Sequence, residues 1–441
     1  MASKLSSFLL IPLYARSLDV SEFGRFELIV VTVSLLGTLL SLNISDGIMR
    51  LLLDKYKSNE DALAFGTGYM ASIIGVCIIF ASGLAITGYE IGAWTILLLA
   101  VQILLNFTLQ VAKGCDKMHL IAISSSLSVL VQIGSIWFLY RFSQLSLIAI
   151  LRMMVLSWLI NALIVWVNID DLKKAGSKFL KKGYKIMKTS IWRDLRKYSV
   201  PLLVSRIAWW GNNSGGRYVV GALEGVALTG GYSGLLRIAS FLTTFQQFFI
   251  SAWHIFRLRG DSELEDFRLM YKLYYKLLTT IACVLIAFAP QLAVYYLGEK
   301  YDEYQLYAPL VFQPVLIGAV YGFVEAEFLK NYRTSILSKI SVVGALINLI
   351  GFASLLYIVN LKYALIWTTI VMLGMCFTLM INVGLTTISM SHRIEFLILH
   401  IVILLLSLFV ALDVEFYSIE MLLFISLFNS LSFAKNLRQV L

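Results

Sequence analysis

Apolar positions in this chain fall in long unbroken runs and do not alternate with polar ones. Residues 5–14, 26–42, 65–87, 91–111, 120–140 and 147–167 form a first series. Residues 200–220, 226–250, 274–297, 306–324, 336–359, 363–388, 396–412 and 416–433 form a second. About 20 helical residues cross the roughly 30 Å of hydrocarbon in a bilayer. Backbone polar groups in hydrocarbon must be satisfied within the segment, so each run predicts a helix. Barrel strands, at about 9–11 residues, are too short to explain them. The expectation is an all-α integral membrane protein with about 14 transmembrane helices and no sizeable soluble domain. The first run is short, between Lys4 and Arg16, with Pro12 inside it. Either this helix is short and Lys4 snorkels to the surface, or the natural start lies upstream. No small-residue cleavage site follows it, so it does not read as a signal peptide.

Composition reinforces this reading. Of 441 residues 59% are hydrophobic and only 14% charged, and the mean hydropathy is +0.83. Disorder and a disulfide scaffold are both excluded. Cys77, Cys115, Cys283 and Cys376 are scattered, and His119, His254, His392 and His400 show no ligand spacing, so no metal site is expected. His400, within an apolar run, reads as a satisfied histidine facing the bundle. The net charge of +10 and pI near 9.3 would suggest nucleic acid for a soluble chain. Here the placement of charge argues otherwise. With the N-terminus in the cytoplasm, 27 Lys and Arg fall on the cytoplasmic side and five, Arg16, Arg25, Arg141, Lys300 and Lys362, on the other. That asymmetry is positive-inside bias. It predicts a multi-pass membrane protein with both termini cytoplasmic and no nucleic-acid partner.

The longest polar stretch, 168–199, contains KKAGSKFLKKGYK at 173–185 and reads as a solvated linker along anionic headgroups. It suggests an N-terminal six-helix lobe (1–168), a basic cytoplasmic linker (169–199), a C-terminal six-helix lobe (200–390) and two further helices (391–441). The lobes share a weak internal repeat. LDVSEFGRF at 18–26 and LE…TGGY at 223–232 both read Leu–acid, a gap, then Gly-x-aromatic opening the next helix. Transporters are often built from such repeats, with the substrate site at their interface.

At these residues the chain resembles a known family. IPLYARSL at 11–18, EFGRF at 22–26, SDGIMR at 45–50, GGYS at 230–233 with Arg237-Ile238, and Ser251-Ala252-Trp253 resemble Wzx-type polysaccharide and O-antigen flippases. These belong to the MOP superfamily, with the MATE exporters and the lipid II flippase. Two positions depart from the pattern: Gly216 stands where an Asp is usual, and Ile255 where a Pro is usual. The missing Asp prevents carrying over an acid–base pair in the seventh span. The resemblance implies a MATE-like fold of two lobes plus two C-terminal helices. It implies alternating-access translocation of a polyprenyl-diphosphate-linked oligosaccharide for O-antigen lipopolysaccharide, capsule or exopolysaccharide. Partners would be that lipid-linked substrate, membrane lipids, and polysaccharide polymerase and chain-length proteins.

The residues supply their own argument for an anionic cargo. An ionisable group within a span is costly and usually faces a bundle interior or a watery cavity. Arg152, Arg206, Arg217 and Arg237 lie within spans, while the acids Asp46, Glu325 and Glu327 lie near helix ends. Arg presents a planar fork that pairs with phosphate. Arg206 and Arg237 are the leading candidates to bind diphosphate or sugar, followed by Arg152, Arg50 and Arg217; snorkelling or helix capping is the alternative role for each. WWGNNSGG at 209–216 puts polar and small residues at membrane depth. Trp209, Trp210, Asn212 and Asn213 could line a cavity, the indoles either stacking on sugar or packing on a neighbouring helix. Gln246 and Gln247 form a second polar pair. Coupling could use Na⁺, protons through Asp46, Glu325 or Glu327, or membrane potential. No P-loop is present, and no catalytic residue, cofactor or metal is expected. The alternatives are a MATE-like small-molecule exporter, whose many cationic substrates an Arg-lined cavity would repel, and an integral-membrane polymerase or ligase. The outward loops, none longer than about 298–305, give such an enzyme little room. A purely structural membrane scaffold would leave the recurrent arginines at depth unexplained.

Overall fold

A computed structural model describes residues 2–53, 59–142, 145–182, 190–258, 264–331, 333–384, 388–412 and 415–437. Among them there is no strand. The helices are α1 (Ala2–Ser17), α2 (Val20–Ser41), α3 (Ile44–Leu53), α4 (Asn59–Ile86), α5 (Glu90–Gly114), α6 (Met118–Phe142), α7 (Leu147–Val167), α8 (Asp170–Lys182), α9 (Ser190–Trp210), α10 (Gly216–Leu223), α11 (Val226–Leu258), α12 (Leu264–Ala287), α13 (Ala289–Leu297), α14 (Ala308–Lys330), α15 (Thr334–Ile358), α16 (Leu361–Val383), α17 (Met390–Val410) and α18 (Glu415–Leu437). Ten helices among the described residues are long and apolar enough to cross a membrane. The other expected spans are helical as well: α1, α9 with α10, α11, and α18, whose apolar part is Ile419–Phe433. The chain is a multi-pass membrane protein. Its large exposed side chains are aliphatic and aromatic, such as Ile79, Phe80, Ile350, Phe424 and Phe428, as lipid-facing surfaces require.

Three expected spans differ in detail. The ninth is broken: α12 ends at Ala287 and α13 restarts at Ala289. Pro290 sits in the first turn of α13, where its missing N–H costs nothing and its ring prevents the preceding helix from continuing. The seventh is a composite. Between α9 and α10, residues Gly211–Gly215 widen into a π-helical turn. Such turns are rare and recur at functional sites. The SDGIMR motif forms a separate short helix, α3, set off from α2 by Leu42 and Asn43, both in the left-handed region.

The polar stretch after α7 contains α8, an amphipathic helix whose Leu172 and Ala175 are buried. Its Phe179 lies against Gly68 of α4. Lys178 reaches both Glu60 and Asp61 at 3.1 Å, and Lys117 donates to the Asn168 carbonyl at 3.0 Å. Residues 183–189, including the end of the KKAGSKFLKKGYK run, lie outside the described residues, as does the Lys4 side chain.

The helices group into two compact units. The first comprises Met1–Leu18 and Arg25–Trp210. Here α5 is central, packing against α3, α4 and α7. Phe107, Leu98 and Val111 of α5 are fully enclosed. The second comprises Asp19–Gly24 and Gly211–Leu441. Here α14 is central, packing against α11, α12, α16 and α17. Phe323 of α14 stacks on Trp253 (4.5 Å between centroids) and Tyr274 (5.3 Å), and Phe249 stacks on Tyr274 (4.3 Å). The Ala252-Trp253 element thus supplies the aromatic core of this unit. Trp253 also donates its indole N–H to the Phe323 carbonyl at 3.3 Å.

The repeated motif has a reciprocal contact in the second unit. A methyl group on Gly24 would overlap the Val226 carbonyl, and one on Gly230 would overlap the Val20 carbonyl. Each glycine lies four residues beyond the carbonyl that receives the other. The opening turns of α2 and α11 therefore cross backbone to backbone, as only small residues allow. Phe23 beside this crossing is fully buried and meets Tyr301 edge-on at 6.1 Å.

Candidate functional site

An ionic cluster sits in the first unit, where α3, α5 and α9 meet. Asp46, in the first turn of α3, is 6% exposed. Its carboxylate receives the Arg206 guanidinium of α9 and, at 2.5 Å, the side-chain amide of Gln110 of α5. Burial of a carboxylate requires such compensation. The location at a helix N-terminus, where the backbone dipole is positive, also favours the anion. The Arg206 side chain remains 53% exposed while it holds this contact. One side of the guanidinium is occupied by Asp46 and the rest is open to another acceptor. Arg50, on the same short helix as Asp46, is exposed in its last turn.

Arg152 occupies a different place. It pairs with Glu90 at 3.2 Å, both side chains about half exposed, and lies over the Trp94 ring at 5.3 Å. Glu90 and Gln110 stand at opposite ends of α5, twenty residues or about 30 Å apart along the helix. Arg152 and Arg206 thus cannot grip one phosphate group, so the structure does not bring these two candidates together.

In the second unit Arg217 is 8% exposed and approaches the Ser214 hydroxyl at 3.4 Å. Arg237, half-buried on α11, accepts at its carbonyl from the Ser240 hydroxyl at 2.5 Å. Of the polar stretch, Asn213 is exposed, while Asn212 accepts from Asn348 at 3.4 Å and faces the Met375 sulfur at 3.9 Å. Asn212 is therefore engaged in packing the π-helical turn against α15 and α16. In the first unit Trp210 donates its indole N–H to the Val31 carbonyl at 3.1 Å, which commits that edge of the ring to a neighbouring helix; Trp209 is half-buried. Gln246 is half-buried, its carbonyl oxygen unpartnered, and Gln247 is exposed. Glu325 is half-buried on α14. Glu327, at the end of α14, accepts from the Asn331 amide at 3.0 Å.

Sequence reading missed several polar groups. Arg206 is no lone cation, because Asp46 meets it from 160 positions away. Gln110 was visible only as a polar residue in an apolar run. Acids do occur at depth: Glu27 is fully buried eight residues into α2. The predicted start of that span at 26 had placed Glu27 at its mouth. His400 is buried as expected, yet it is not satisfied: neither ring nitrogen has a hydrogen-bond partner among the described residues. Its carbonyl accepts from Gln313 at 2.5 Å, and its ring meets Phe396 edge-on at 4.4 Å. Among the described residues no group of three or more His, Cys, Asp or Glu could hold a metal ion.

Comparison with known proteins gives the setting. A family model described as polysaccharide biosynthesis protein matches residues 1–255. No curated protein sequence matches the chain. Among solved structures, the lipid II flippase MurJ in an inward closed conformation superposes with a TM-score of 0.64 at 12% identity, covering 99% of this chain and 97% of that one. An inward-facing multidrug resistance MATE family transporter of the MOP superfamily gives 0.62 at 11% identity, covering 88% and 97%. A MOP superfamily transporter from Pyrococcus furiosus, described as having a binding pocket of reverse polarity, gives 0.50 at 13%, covering 87% and 95%. The fold is that of these transporters.

Proposed function

Since this chain belongs to the polysaccharide biosynthesis protein family, we propose that it is a flippase for lipid-linked oligosaccharides. It moves a polyprenyl-diphosphate-linked repeat unit from the cytoplasmic to the outer face of the inner membrane by alternating access. It is a transporter and not an enzyme, and it serves O-antigen, capsule or exopolysaccharide assembly. The observation that carries this reading is the Arg206–Asp46–Gln110 cluster. An arginine within an apolar span is held in place on one side and open on the other. A diphosphate can take up the open N–H groups as a charge-assisted, bidentate acceptor. When it does, Asp46 and Gln110 keep the guanidinium plane oriented. Positive-inside bias puts this cluster in the cytoplasmic half, where a substrate made in the cytoplasm arrives. Arg50 adds charge at the same end. Asp46 is the acid best placed to couple the cycle to protons, since cargo and carboxylate compete for one guanidinium.

The test uses a strain lacking the gene, complemented with wild type or Arg206→Ala. Lipid-linked repeat units should accumulate on the cytoplasmic face of the deletion strain and be relieved by wild type. Arg206→Ala should leave the protein in the membrane and reduce surface polysaccharide at least ~10-fold, the loss of one charge-assisted contact. Units that reach the outer face normally without the gene would overturn the flippase reading. If they do, and the strain becomes sensitive to small toxic compounds, the MATE-like exporter takes its place.

A further inference from the structure

The second unit contains a separate polar site, where α12 meets α17. Arg268, Lys272 and Lys276 are spaced four apart on α12 and so share one face. Opposite them lie Ser389 and His392, at the start of α17, joined by a hydrogen bond of 2.5 Å. Two adjoining cavities fill the space between, of about 170 and 320 Å³, with Tyr271, Lys272 and His392 common to both. Tyr271 and Tyr275 line the smaller cavity. They are 4% and 5% exposed, and neither hydroxyl has a hydrogen-bond partner among the described residues. A buried hydroxyl left unmade is costly and calls for an explanation. Among the described residues, Glu395 is the one carboxylate lining these cavities. On α12 the site therefore offers cations and two unused donors, with an excess of positive charge. Its occupant should be an anion that accepts several hydrogen bonds.

The surroundings narrow the occupant further. Along the same two helices, α17 exposes Ile394, Ile398, Ile401 and Leu405, and α12 exposes Leu277 and Val284. These apolar faces meet acyl chains. An anion seated here can have its hydrocarbon tail alongside them. Cavities of this size suit a phosphate headgroup. Positive-inside bias places this end of α12 and α17 at the cytoplasmic surface, and basic clefts between helices there suit anionic headgroups.

We propose that this cleft binds the phosphate headgroup of an anionic phospholipid from the cytoplasmic leaflet, fastening α17 to α12. Tyr271 and Tyr275 donate to phosphate oxygens, Arg268 and Lys272 neutralise the charge, and the acyl chains lie along Ile394 and Ile398. Lys276 is already hydrogen-bonded to Ser432 and contributes by charge alone. The proposal does not depend on the substrate carried, and its test involves no transport.

Purified full-length protein in neutral detergent would be titrated with phosphatidylglycerol, phosphatidylcholine, inorganic phosphate and undecaprenyl diphosphate, reading the melting temperature by tryptophan fluorescence. Phosphatidylglycerol should raise it by ~3 °C at a hundredfold excess over the dissociation constant. Phosphatidylcholine and inorganic phosphate should have little effect. In the Arg268→Gln/Lys272→Gln variant the half-effect concentration should rise ~30-fold, at about a fivefold penalty per lost charge near a headgroup. Lys272→Arg should retain most of the response. The melting temperature without lipid shows independently that each variant is folded. An unchanged titration in the double variant overturns the proposal. So does an equal shift with phosphatidylcholine or inorganic phosphate, or a shift with undecaprenyl diphosphate and none with phosphatidylglycerol.

Discussion

The two arginine–carboxylate pairs at the ends of α5 look alike in sequence and differ in kind. In one, Arg152 and Glu90 are both about half exposed. In the other, Arg206 is half exposed while Asp46 is buried and also bound by Gln110. A pair with both partners exposed gains little, because water and salt already solvate each charge. A pair with a buried acid leaves that acid stranded when its partner is removed. The exposure of the carboxylate, more than that of the arginine, therefore decides what each contact is worth. The cleft between α12 and α17 is a third variation. There, among the described residues, the cations outnumber the acids and the neighbouring hydroxyls have no partner.

The sharpest way to break this comparison is to truncate both arginines. Arg206→Ala should destabilise the protein by about 2–4 kcal/mol, toward the lower end for a buried pair because the guanidinium is partly solvated. Adding Asp46→Asn should recover part of that loss, since the uncompensated charge disappears. A thermal melt of the three variants checks this, and an Arg206→Ala loss no larger than that of Arg152→Ala would contradict it. Gln110→Leu should cost about 1.5–3 kcal/mol, as a hydrogen bond to a charged group does. Arg152→Ala should cost roughly 1 kcal/mol, combining an exposed ion pair with a contact to the Trp94 ring. That smaller cost should shrink further between 0.15 and 1 M salt, where the screening length falls from about 8 to 3 Å. The Arg206 effect should hardly move.

The smallest effect concerns α8. Glu60 and Asp61 beside Lys178 hold its ammonium above the ordinary lysine range. A raised value means the contact contributes fully below the ordinary lysine pKa and is lost as pH climbs through the raised one. Hydrogen exchange in α8 should therefore show no change in local protection from this contact between pH 7 and 9. It should show loosening only above about 10.5.

Much of this was legible in the residue order. Run length alone marks the spans, since hydrocarbon imposes its thickness on sequence. Gly and Asn at 211–215 flagged the place where α9 widens, but the run at 274–297 read as one span although Pro290 lies inside it. What was not legible depended on distant partners. Nothing near Arg206 announces Asp46, and nothing near Asp46 announces Gln110. Tyr271 and Tyr275 read as ordinary core aromatics, because a sequence shows a hydroxyl but not whether anything meets it. Glu27 lies inside its helix because the turn before it, from Val20, belongs to the same element.

The crossing at Gly24 and Gly230 bears on how the protein is made. The opening turn of α2 belongs to the second unit, but its partner on α11 leaves the ribosome some 200 residues later. At about 5–20 residues per second that is a wait of roughly 10–40 s. During this interval the bare backbone around Gly24 has its α11 partner missing, and whatever shields it must leave when α11 arrives. Assembly of the second unit is thus tied to a segment inserted near the very beginning of synthesis.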